Sequence, residues 1–133
     1  MNKDKILNVA LIVVIVIAVS KVLKLFKAPD ESKEEVDEAG CNGTYNQNWY
    51  LLSADAIEKA GFDFGTDEET IYRIFEKLKS DCDFEKLFNA FGKRFYNGFW
   101  KYNLIQFLDA ELSNSEREKL NGILNSNGIT YSI

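Results

Sequence analysis

One stretch, ILNVALIVVIVIAVSKVLKLF from Ile6 to Phe26, limits what this chain can become. Val9 to Val19 is unbroken apolar sequence, much of it β-branched. A helix with no polar face does not suit the surface of a small domain. As a helix, Ile6–Phe26 would run roughly 31 Å at ~1.5 Å per residue, the thickness of a hydrocarbon core. Ile6 and Val14 would then lie among lipid chains. Lys21 and Lys24 fall in the last turns, where their stems can lie in the apolar zone while the ammonium groups reach headgroups. Lys27 completes a cationic collar suited to anionic lipid. Residues 1–27 are therefore expected to be a single-span transmembrane anchor in contact with a lipid bilayer.

A cleaved signal peptide is the competing reading. Lys3 and Lys5 give a basic start, and Ala18–Ser20 a small-residue cleavage site. The apolar pattern continues past that site as KVLKLF, which favours an uncleaved span. Lysines flank both ends of the run, so charge bias leaves the orientation open.

The charge is unevenly spread. Residues 1–27 hold five lysines and one aspartate, while residues 28–40 hold six acids and one lysine. Residues 41–133 hold fourteen acids and ten bases. That balance is no footprint for nucleic acid. The acidic segment Ala28–Gly43 has almost no large apolar side chains and the only proline. It cannot bury enough surface to offset its ordering entropy, and its carboxylates repel one another. Residues 28–48 are read as a linker, although ESKEEVDEA is also rich in helix formers.

From Trp49 the pattern turns helical. Ser53 can cap a short helix through Ala60. Thr66 and Glu69 form a capping box, followed by Ile71, Ile74, Phe75 and Leu78 at helical spacing. Phe84, Leu87, Phe88, Phe91 and Phe95 make a second stripe, and Trp100, Leu104, Phe107, Leu108 and Leu112 a third. Ser115 and Glu118 form another capping box ahead of Leu120, Ile123 and Leu124, and Gly128 can end that helix. Residues 49–133 are expected to be an all-α bundle of five helices. The aromatic stripes are read as packing residues rather than a ligand box.

Cys41 and Cys82 form no CxxC, and a zinc site would lack ligands. Two free thiols are the expectation; a disulfide stays open if this part of the chain lies outside the cytoplasm. The chain has no histidine, which removes the commonest general base and metal ligand. It also has no nucleophile elbow and no phosphate loop. An enzyme is not expected.

ADAIEKAGFDFGTDEETIYRIF resembles the first two helices of an annexin repeat. FEKLFNAFGKRFYNG is similar to the third, and DAELSNSEREKLNGIL to the end of the fourth and the fifth. The likeness covers roughly Trp49 to Ser126 and amounts to one repeat, where annexins carry four or more. The resemblance extends to the single annexin-like repeats that also occur in small proteins of Bacteroidota and their phages. The resemblance implies a calcium site built from a glycine turn and a distant carboxylate. Gly65 and Thr66 match the turn, Asp63 stands where its first glycine belongs, and Glu111 matches the carboxylate. Losing that glycine works against a carbonyl aimed at a hard cation. Thr66 capping a helix and a solvated Asp63 are the favoured reading, with calcium contributing little.

The leading expectation for function is a membrane-anchored structural or interaction protein. Its setting would be a virion membrane tied to a protein shell, or a bacterial inner-membrane scaffold. The alternative is a calcium-dependent phospholipid-binding module of annexin type. The stretch RFYNGFWKY, with Arg94, Tyr96, Trp100 and Tyr102, is the candidate surface for a capsid or envelope partner, since Tyr, Trp and Arg are the usual interface anchors. Closure of the bundle by Phe95, Phe99 and Trp100 is the rival reading of the same stretch. The sequence leaves the oligomeric state open.

Overall fold

The structure is a computed structural model that describes residues 40–62 and 65–133. Five helices and one β-hairpin make up the described residues. In order they are α1 (Gln47–Phe62), α2 (Glu68–Glu76), α3 (Asp81–Phe91), β1 (Arg94–Tyr96), β2 (Trp100–Tyr102), α4 (Leu104–Glu111) and α5 (Asn114–Ser126). The mostly helical class stands. The hairpin is a correction, because helical spacing places Phe95 at the end of one helical stripe and Trp100 at the start of the next.

Local chemistry explains the switch. Gly92 ends α3 with φ 60°, a conformation that costs glycine little. The aromatics that follow favour a pleated strand as readily as a helix. Asn97 (φ 54°) and Gly98 (φ 81°) then turn the chain through the left-handed region, which those two residue types tolerate best. β1 and β2 pair antiparallel, with Arg94 opposite Tyr102, Phe95 opposite Lys101 and Tyr96 opposite Trp100.

Caps fix the helix starts, in places other than the sequence suggested. α1 begins six residues before the expected Ser53; Asn46 Oδ1 accepts from the Trp49 amide at 3.0 Å, and Ser53 is buried inside the helix. Asp67, not Thr66, caps α2 by accepting from the Thr70 amide at 3.1 Å. Ser113 and Glu116 form the capping box of α5, two residues ahead of the expected Ser115 and Glu118. Asn103 and Gln106 form another at α4. Gly128, with φ 73°, follows α5 as expected.

The helical stripes meet in one core. Ile71, Phe75, Leu78, Phe84, Leu87, Leu104, Leu108, Leu120 and Leu124 are fully buried, and α1 adds Tyr50, Ala54 and Ile57. Phe95 and Trp100 are not part of it; they stand 60% and 43% exposed. α1 and α3 run side by side in the same direction, with Tyr50 beside Asp83 at one end and Glu58 beside Arg94 at the other. The chain after α5 returns to α3. Tyr131 stacks on Phe84 with centroids 4.6 Å apart, and Asp81 accepts from the Thr130 amide at 2.7 Å.

Cys41 and Cys82 form a disulfide with Cα atoms 5.9 Å apart, which replaces the two free thiols expected. The segment ahead of α1 is further held by the Thr44 amide donating to Asp83 at 2.7 Å and the Tyr45 hydroxyl donating to the Lys77 carbonyl at 2.8 Å. Tyr45 also stacks on Trp49 at 4.0 Å. The domain therefore starts near Cys41 rather than at Trp49, and residues 41–48 belong to it rather than to a linker.

Candidate functional site

One end of the domain gathers most of the residues that the sequence singled out. There the end of α1, the turn before α2, the hairpin and the end of α4 come together. Gly61 makes that approach feasible: a Cβ on it would lie 2.4 Å from Cζ of Phe107 and 3.2 Å from Cγ of Glu111. A methyl group would push α1 off α4. Phe62, the next residue, packs its ring edge-on to Phe107 at 5.9 Å and near Tyr96 at 6.2 Å, and remains 51% exposed.

Burial divides the hairpin's aromatics, although Tyr96, Trp100 and Tyr102 share one face of the ladder and Phe95 lies on the other. Tyr96 and Tyr102 are buried, stacked on each other with centroids 4.6 Å apart, and Tyr96 meets Phe107 edge-on at 5.9 Å. They are core residues, which corrects their assignment to an interaction surface. Burial raises the Tyr96 hydroxyl well above the usual tyrosine range, and the neighbouring Glu111 carboxylate raises it further. Arg94 is a latch rather than a docking group. Its guanidinium donates to Asp55 at 2.8 Å and to Glu58, its Nε donates to the Phe91 carbonyl at 2.8 Å, and it lies over the Phe91 ring. Of the four residues proposed for interaction, Trp100 alone is on the surface. Phe95, Phe99 and Phe62 accompany it, with Phe99, at 72%, the most exposed of the large apolar side chains among the described residues.

The turn and the distant carboxylate do meet. The Thr66 hydroxyl donates to Glu111 Oε2 at 3.0 Å, across 45 residues of sequence. Gly65 has φ 88° and is exposed. Asp63 lies outside the described residues. A calcium ion takes six to eight oxygens, and the described part of this cluster offers one carboxylate. That carboxylate already receives the Thr66 hydroxyl. No group of three His, Cys, Asp or Glu side chains able to hold a metal lies among the described residues.

The opposite end is a structural pin that sequence reasoning missed. Asp83 is fully buried at the start of α3. Its carboxylate accepts from the Tyr50 hydroxyl at 2.6 Å, the Thr44 amide at 2.7 Å and the Lys79 amide at 2.8 Å. Burial pushes its pKa up, but these donors outweigh burial and hold it below the ordinary 3.8. Tyr50 moves the other way, pushed up to about 12 by burial and by the bond to Asp83. In the sequence Asp83 looked like one more acid in a first turn. Its contacts with Lys79 and Ser80 are ordinary helix-start chemistry, and what sets it apart, the Tyr50 and Thr44 donors, comes from 33 and 39 residues away.

Ile6, Val14, Lys21, Lys24 and Lys27 lie outside the described residues. Among the described residues no helix is long and apolar enough to cross a membrane. No protein-family model, curated protein or solved structure matches this chain.

Proposed function

We propose that this chain is a membrane-anchored structural protein whose helical domain connects a lipid layer to another protein. The supporting observation is the joining, in one chain, of the 21-residue apolar run Ile6–Phe26 to a domain that closes its own core. The finer setting is a minor virion protein linking a membrane to a protein shell, or an envelope scaffold. The Cys41–Cys82 bridge fits a domain on the oxidising side of the bilayer, with the N-terminus on the reducing side. No catalysis is assigned.

Alkaline carbonate extraction with intact-mass measurement tests the anchor. The full chain is expected to stay in the membrane pellet with residues 1–27 intact. A carbonate-soluble product beginning near Lys21 would reject the anchor and restore a cleaved leader.

The annexin-like reading draws its support from the Thr66–Glu111 contact, which joins the two segments that such a repeat would use. Here those groups satisfy each other, so calcium is expected to contribute little. Millimolar calcium should leave the melting temperature of the full chain unchanged. A bound ion at a thousandfold excess over its Kd would add about 4 kcal/mol. A clear rise that vanished in Glu111→Gln would establish the calcium-dependent module instead.

A further inference from the structure

We propose that the β-hairpin is a second, calcium-independent membrane contact, which inserts Phe95, Phe99 and Trp100 into the headgroup zone of the bilayer that anchors the chain. This rests on the reading of Ile6–Phe26 as an anchor.

Charge picks the occupant. Residues 41–133 carry an excess of acids, yet from Lys86 to Leu108 there is no acid and there are four bases. The exposed aromatics project from that one basic stretch. Lys101 holds its ammonium over the Phe95 ring at 4.9 Å, and Lys93 is exposed beside β1. Of the four bases, Lys86 packs beside Gly43 at the other end of the domain, and Arg94 is paired with Glu58 and with Asp55, whose carboxylate is exposed; Glu111 accepts from Thr66. Exposed aromatic rings beside a lysine ammonium match the composition of membrane interfaces, where ring bodies sit at headgroup level and cations meet anionic lipid. A two-stranded hairpin is also a narrow projection. Fluid lipid accepts such a wedge without the shape complementarity that a protein pocket requires.

The tether permits the contact. The chain enters the domain at Cys41, bonded to the start of α3, and the hairpin follows the other end of that helix. α3 has 11 residues, ~16 Å of helix. Gly40 lies 14 residues after Phe26, a maximum reach of about 50 Å. That length lets the hairpin end turn to the bilayer, and it keeps the effective lipid concentration high.

Trp49→Phe leaves Trp100 as the single tryptophan, since the chain has two. The full-length variant is reconstituted into vesicles of phosphatidylcholine and phosphatidylglycerol carrying lipids spin-labelled at the headgroup. Trp100 is expected to be strongly quenched without calcium. A Phe95→Ser/Phe99→Ser pair should remove most of the quenching and leave the melting curve unchanged, because both rings are more than half exposed. Omitting phosphatidylglycerol should weaken it. Carbonate treatment of the same vesicles separates this inference from the anchor. Retention with an unquenched Trp100 would overturn the hairpin contact and leave the anchor standing. Loss of the chain on carbonate treatment, with strong quenching before it, would leave the contact without the anchor. An unquenched Trp100 that becomes shielded only when other proteins of its native membrane are present would assign the hairpin to a protein and overturn the inference.

Discussion

Reducing the Cys41–Cys82 bond is expected to cost about 4 kcal/mol of folding stability. The bond closes a loop of 41 residues, and the chain entropy withheld from the unfolded state for such a loop gives this figure. A domain of this size has about 5–15 kcal/mol in total, so the loss is a large share. The melting temperature should fall by ~15–30 °C. Thiol titration of denatured, unreduced protein should find no free cysteine, and Cys41→Ser/Cys82→Ser should melt like the reduced chain. A fall of only a degree or two would mean that Thr44 and Tyr45 hold the segment ahead of α1 without help. The bond would then matter for something other than stability.

Asp83→Ala is expected to be comparably damaging, by roughly 3–5 kcal/mol, because it strands three donors around an emptied site. The Tyr50 hydroxyl and the Thr44 and Lys79 amides have no other partner of that strength. Asp83→Asn keeps the shape but turns one acceptor into a donor, so it should fall between alanine and the native residue. The pH dependence carries the sign of a depressed carboxylate. Its contribution is complete above the unfolded pKa of about 3.9 and is lost as pH falls through the lower folded value. Tyr50 is raised, so its contribution is complete below about 10 and is lost as pH climbs toward about 12. Urea denaturation from pH 2 to 6 should show a slope in the native chain that Asp83→Asn flattens. An unchanged slope would place the acid sensitivity elsewhere. The two variants should not add, because Cys82 and Asp83 are adjacent and hold the same segment.

The hairpin shows where local reading failed. In FGKRFYNGFWKY the helical-period aromatics end one stripe at Phe95 and open the next at Trp100, so two helices joined by a glycine turn are the expectation. The glycines at 92 and 98 and the asparagine at 97 were legible as breakers, but two spaced breakers allow a loop, a kinked helix or a hairpin. Which aromatics face inward depends on strand register. Register is set by Phe107, Phe62 and Glu111, which meet the hairpin from other helices. Tyr96 and Trp100 are cross-strand partners, yet one is buried and the other exposed.

The sequence by itself determined the apolar run, the helical class and the core stripes. Ile71, Leu87 and Leu108 follow from periodicity because burying one face of a helix needs only spacing along the chain. The tertiary structure alone decided that Cys41 reaches Cys82, that Asp83 accepts from Tyr50 and Thr44, and that Arg94 is a latch while Phe62 and Phe99 form the surface. Each of these depends on the distance between residues far apart in the chain. That distance is the product of packing the whole core, and no window of neighbouring residues contains it.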